Sequence, residues 1–155
     1  MTIPSSTAPA VRDWLFAQCT ATLTPDPDDK TISLLVCYDE PGPYQPEDIV
    51  SIGGVLREIG TNSLVGGGGA GWLEEKYRIT IAVEVYRGGD SAQIAFNRAS
   101  LLIDQVIAIF RGSVDAGGLV LICKPISSSC EVAWDEEHKG RLASGEVVIE
   151  CYQRI

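Results

Sequence analysis

The chain's one histidine, His138, stands in the run Asp135-Glu136-Glu137-His138-Lys139. An imidazole beside three carboxylates is the raw material of a zinc or hard-cation site. Metal ligation needs spacing as well as residue type, such as two histidines four apart on one helix face, and that spacing is missing. With Gly140 following, the run reads as a charged turn between strands. The five cysteines (Cys19, Cys37, Cys123, Cys130, Cys151) pose a second question. A thiol nucleophile needs a nearby base, and His138 is the only imidazole. Cys37, Cys123 and Cys151 fall on strand patterns, where a small buried thiol is ordinary packing. An odd count without paired spacing is not a secreted disulfide framework, and points to a protein made in a reducing cytoplasm.

Other reactive patterns fail in a similar way. No Gly-x-Ser-x-Gly elbow occurs, and Ser127-Ser128-Ser129 after Pro125 reads as a polar turn. Gly66-Gly-Gly-Gly-Ala-Gly-Trp72 has the glycines of a phosphate loop but not its closing Lys-Ser/Thr; Trp72 and Leu73 follow instead. No strong strand enters the run and no convincing helix leaves it, as a dinucleotide site would require. Carboxylate pairs brought together by the fold are invisible in one dimension and stay open. No catalytic residue, metal or cofactor is assigned from these patterns.

The elements that must position these residues come from periodicity. A helix is expected from about Ala8 to Ala21, capped by Ser6 or Thr7, with Pro9 in its first turn and Val11, Trp14, Leu15 and Cys19 on its apolar face. Thr24-Pro-Asp-Pro-Asp-Asp ends it. Thr31 to Tyr38 reads as a strand buried on both faces, and Ile49 to Leu56 as a second strand despite Gly53 and Gly54. Residues 61–71, with five glycines, are expected to be a long mobile loop, either a plain connector or a segment that orders against a partner with Trp72 as its anchor. Tyr77, Ile79, Ile81, Val83 and Val85 alternate with Arg78, Thr80, Ala82, Glu84 and Tyr86, the pattern of a half-solvated strand. Asp90 or Ser91 caps a helix to about Arg111, with Gly112 at its end. Its core face is Ala95, Ala99, Leu102, Val106 and Ile109, and Ile103, Ile107 and Phe110 make the stripe wider than one sheet face needs. Leu119 to Cys123 and Cys130 to Trp134 are expected as short strands, and Arg141 to Tyr152 as a longer one.

Helix, strands, long helix, strands defines an α+β fold: a mixed, largely antiparallel sheet with an N-terminal helix and one long helix on one face. The 155 residues form one domain, residues 1–155, with the glycine-rich loop at about 60–72 inside it. Hydrophobic residues at 45% and charged residues at 21% are those of a globular chain. Twelve basic against 21 acidic residues give −9, which argues against a phosphate-binding surface. No apolar run approaches the ~20 residues that span a bilayer, and the N-terminus lacks the basic start and apolar core of a signal peptide.

One family shares this layout. The helix with Val11-Arg-Asp-Trp-Leu precedes the strand ending Val36-Cys-Tyr. Then come Glu75-Lys-Tyr-Arg-Ile-Thr-Ile-Ala-Val-Glu-Val-Tyr, the Gly-Gly-Asp turn, the helix with Arg98-Ala-Ser-Leu-Leu-Ile, and the ending Gly145-Glu-Val-Val-Ile-Glu-Cys-Tyr-Gln-Arg-Ile. Over most of its length the chain resembles the tail terminator proteins of long-tailed (siphovirus-type) phages, and more broadly the minor tail and neck proteins of that fold. The resemblance rests on layout, with no short diagnostic motif. It implies a structural virion protein without catalysis or cofactor, assembled in the host cytoplasm. Such a protein forms a hexameric ring that caps the tail tube, stops tube polymerisation and presents a surface to the head–tail connector. Genomic DNA would pass through the lumen without specific binding, and no membrane is involved. The wide apolar stripe would suit a subunit interface, the glycine loop a segment that orders on docking, and an acidic lumen would repel DNA. The partner-contact candidates are Trp72 and Leu73 beside the loop and Asp135, Glu136 and Glu137 in the acidic turn. The alternatives are a connector or tube subunit, or a small cytosolic ligand-binding domain or enzyme.

Overall fold

The computed structural model describes residues 5–61 and 73–155. The order is α1 (Ala8–Thr22), β1 (Leu34–Tyr38), β2 (Asp48–Thr61), β3 (Leu73–Gly88), α2 (Ala92–Gly112), β4 (Ile122–Trp134) and β5 (Gly140–Arg154). The strands form one open sheet in the order β1-β2-β3-β5-β4, with every pairing antiparallel except β1 beside β2. The expected α+β class is the observed one.

The alternation on β3 builds the core. Tyr77, Ile79, Ile81, Val83 and Val85 are all buried, and opposite them β5 contributes Val147, Ile149 and Cys151 and β2 contributes Val50 and Ile52. Both helices lay their apolar faces on this side: Val11, Leu15 and Cys19 from α1, and Ala95, Ala99, Leu102, Val106 and Ile109 from α2. The extra width of the α2 stripe is consumed in the same core, because Ile103 and Phe110 are buried and Ile107 packs against them. That width therefore asks for no second subunit. Close approach of α2 to the sheet depends on Gly145, where an added Cβ would lie 2.7 Å from Ser129 O and 2.9 Å from Ile103 Cδ1.

Several expectations are corrected. β1 is an outer strand of only five residues, partly buried, rather than a strand covered on both faces. It stops where Arg12 of α1 takes over the edge of β2, donating from Nε to Gly53 O (2.8 Å) and from Nη2 to Ile52 O (3.1 Å). β2 continues to Thr61, through a bulge between Ile52 and Val55. The two short strands expected around the serine run are one, β4. Ser127, Ser128 and Ser129 pair with Val148, Val147 and Glu146, and the irregularity at Pro125 is a bulge rather than a turn. Neither N-cap residue caps through its own hydroxyl: Ser91 Oγ donates to Gly88 O and Thr7 Oγ1 to Glu75, while the Ser6 Oγ accepts from the first N–H of α1, that of Ala8, at 3.1 Å. Gly112 is the last residue of α2, and Ser113 occupies the cap. Most of the expected glycine loop, including Trp72, lies outside the described residues.

Candidate functional site

Of the sequence-level candidates, Trp72 lies outside the described residues, and Leu73 and the acidic turn fall at opposite ends of the sheet. Leu73 opens β3, opposite Thr61, and its carbonyl accepts from Ile155 N–H at 2.9 Å. The acidic turn joins β4 to β5 at the far end, where Gly88 pairs with Gly140. Sixteen residues of β3 separate the two ends, about 50 Å at ~3.3 Å per residue. The structure therefore makes two patches of these residues, not one.

Within the acidic turn the three carboxylates have different tasks. Asp135 shapes the turn: its Oδ1 accepts from Lys139 N–H (2.8 Å) and Gly140 N–H (3.3 Å), while its carbonyl accepts from His138 N–H (3.1 Å). His138 takes a left-handed backbone (φ +54°) to close the turn, and its ring lies against Trp134. Trp134 is also covered by the Arg141 guanidinium, 3.8 Å from the ring centroid, and Arg141 is paired with Asp90 at 2.9 Å. Glu136 and Glu137 remain exposed, Glu137 bridging only to Lys139. Among the described residues no group of three His, Cys, Asp or Glu side chains is arranged to hold a metal ion.

Two buried charge clusters escaped the sequence reading. In the first, Asp48 on β2 holds two arginines: Arg87 Nη1 donates to Oδ1 (2.6 Å), and Arg98 Nε donates to Oδ2 (2.9 Å). Arg87 Nη2 reaches Asp26 Oδ2 at 2.8 Å, and Arg98 Nη2 reaches Thr24 O at 2.7 Å. All four side chains are buried, and Arg98 Nη1 has no partner among the described residues. Burial opposes the Asp26 charge, but the Asp28 amide and Arg87 together outweigh it and hold the carboxyl below its usual value. The same two carboxylates outweigh the burial of Arg87 and raise it further. Two cations and two anions cancel, and the cluster ties the segment after α1 to β2, β3 and α2.

In the second cluster Glu75 of β3 receives four donors: Ser6 Oγ (2.8 Å), Thr7 N–H (2.8 Å), Thr7 Oγ1 (2.6 Å) and Arg57 Nε (2.7 Å). Burial works to raise this carboxyl, yet the donors from Thr7, Ser6 and Arg57 hold it below its ordinary value. A carboxylate from the sheet thus satisfies the N-cap N–H of α1 and holds the Ser6 hydroxyl that itself accepts from Ala8 N–H (3.1 Å). The sequence carried a signal for both clusters. Glu75, Arg87 and Asp48 share faces with Tyr77, Val85 and Val50, and Arg98 interrupts the Ala95–Ala99–Leu102 stripe. Charges on a buried face require partners.

The surface hollows are open. The largest described, about 560 Å³, lies on the solvent face of the sheet beside Asp39, Glu40, Ser51 and Glu84. Another of about 380 Å³ lies between Asp26-Pro27-Asp28 and the Ile94–Leu101 face of α2. Among the described residues no helix is long and apolar enough to cross a membrane. No protein-family model matches the sequence, and no curated protein matches it either.

Proposed function

We propose that this chain is a ring-forming structural subunit of a phage tail, a terminator that caps the tail tube and carries the head–tail connector. The observation that carries the reading is the separation of two chemically unlike ends on one rigid sheet. The Leu73 end joins apolar exposure to an edge of β2 that is unpaired among the described residues, with Leu56 and Ile59 both more than half exposed. The Glu136–Glu137 end is charged and solvated. A subunit that must touch one partner below and another above has use for two such ends, whereas an enzyme concentrates its groups in one place. The order of helices and strands supports the reading, because the resemblance to that family rests on this layout. Six subunits at −9 each carry −54, which suits a lumen through which DNA slides without adhering. The protein then resides at the head-proximal end of the virion's tail.

The test is light-scattering mass over a concentration series, alone and with tail tube protein. A discrete ring near six subunits, formed alone or on tube ends, is the expected result. Open-ended polymers would mean a tube subunit, and a monomer indifferent to tube protein would overturn the reading. Glu136→Gln with Glu137→Gln should weaken connector docking while leaving thermal unfolding and tube capping unchanged. Asp135 is left out of that variant because it holds the turn.

A further inference from the structure

Cys123 and Cys151 face each other across the β4–β5 ladder, fully buried, with their Sγ atoms 2.7 Å apart. The register explains why they are so close. Cys123 N–H turns away from β5 and donates to Val114 O at 2.6 Å. The two cysteines therefore occupy a non-hydrogen-bonded position, where opposed Cα atoms are about 4.5 Å apart and side chains come closest. That spacing lies at the short end of what a disulfide bridges. The other thiols are placed differently. Cys19 is on α1, Cys37 Sγ points to Val50 O and Ser51 Oγ, and Cys130 lies opposite Gly145. Among the described residues only Cys123 and Cys151 are in sulfur–sulfur contact.

We propose that Cys123 and Cys151 form an oxidation site: a dithiol in a reducing compartment that closes into a cross-strand disulfide when the protein meets a soluble disulfide oxidant. One cysteine loses its proton and attacks the oxidant's S–S bond, expelling one thiolate and leaving a mixed disulfide on the protein. The second cysteine loses its proton and attacks the protein sulfur of that intermediate, expelling the other half of the oxidant. The protein gives up two electrons and two protons, and the oxidant leaves as two thiols.

The environment sets the rate. The shared sulfur contact and burial both push the Cys123 thiol up, away from the reactive thiolate. Oxidation must therefore follow an opening of the sheet edge. β4 is the outermost strand, and its first residue, Ile122, is 41% exposed. Its start is tied down through the Val114 contact, so the site reacts at the pace of local fraying. Closure would fasten β4 to β5 covalently. The inference does not depend on the ring-forming reading, since it concerns one chain by itself.

The experiment uses the full chain, incubated folded with oxidised glutathione or with dithiothreitol, then alkylated, digested and weighed. The expected result is one intramolecular link joining Cys123 to Cys151, with two fewer alkylated thiols than the reduced sample and a higher thermal midpoint. Cys123→Ser and Cys151→Ser should each remove the link, while Cys37→Ser should keep it. The wild-type mapping stands even if a core serine prevents folding. Five free thiols after prolonged incubation would overturn the proposal. So would a link through another cysteine, or a Cys123–Cys151 link that forms only in denaturant.

Discussion

Asp48 holds two guanidinium groups out of water, and each arginine relies on it for its shortest contact to a carboxylate. Removing one member of such a cluster leaves charge buried without its partner, which costs far more than the assembled pair contributes. Asp48→Asn is expected to lower stability by roughly 3–5 kcal/mol in urea unfolding, because Arg87 and Arg98 stay behind. Glu137→Gln breaks an ion pair whose side chains are 74% and 70% exposed, so the same measurement should move by less than about 1 kcal/mol. The two results together would separate a buried counter-ion from a solvated one.

At the level of elements, the decisive contact is the seating of α2 on β5 at Gly145. Gly145→Ala must push against Ser129 O, a backbone atom, and against Ile103 Cδ1, a side-chain tip. Overpacking of that kind costs about 1–3 kcal/mol. Adding Ile103→Val should recover only part of the loss on a thermal unfolding curve, because the carbonyl cannot retreat as the methyl can. This contact also marks where sequence reasoning runs out. The faces of α2, β3 and β5 could be read from period alone, since Ala95, Leu102, Ile81 and Ile149 obey it. The single strand β4 could not, because Pro125 and three serines imitate a turn, and only pairing with β5 supplies their hydrogen bonds. Nor could the outer position of β1 be read, since a five-residue apolar strand looks alike at an edge and in the middle. Of the candidate site, the acidic turn was legible as a turn. The role of Asp135 inside it and the counter-ions of Arg98 depend on residues far away in the chain.

For the molecule as a whole, pH acts through groups that the fold has shifted in opposite directions. Glu75 and Asp26 are held below their ordinary values, so they favour the folded state above the unfolded carboxylate range, near 4, and lose that contribution as pH falls through their native values. Burial pushes the Cys19 thiol up to about 12, so its contribution is whole below the unfolded value near 9 and is lost as pH rises from there towards 12. Urea midpoints should therefore form a plateau through neutrality, with an acid limb and an alkaline limb. Glu75→Gln should flatten the acid limb and leave the alkaline limb in place; an unchanged acid limb would show that Glu75 does not contribute to it.

The cap of α1 has a further consequence, in the order of events as the chain is made. Its N-cap N–H, that of Thr7, is satisfied by a carboxylate 68 residues later in the sequence, and the same carboxylate accepts from the Ser6 and Thr7 hydroxyls. A helix of 15 residues is marginal on its own in water, and the N-cap residue of this one, Thr7, makes no capping bond with its side chain. Residues 8–22 emerge from the ribosome well before β3 has been synthesised. Until Glu75 and the sheet behind it arrive, the N-terminal segment has neither the acceptor for its N-cap N–H nor its apolar bed. The first helix of the chain is thus among the last to be fixed, and its docking reports that the centre of the sheet has formed.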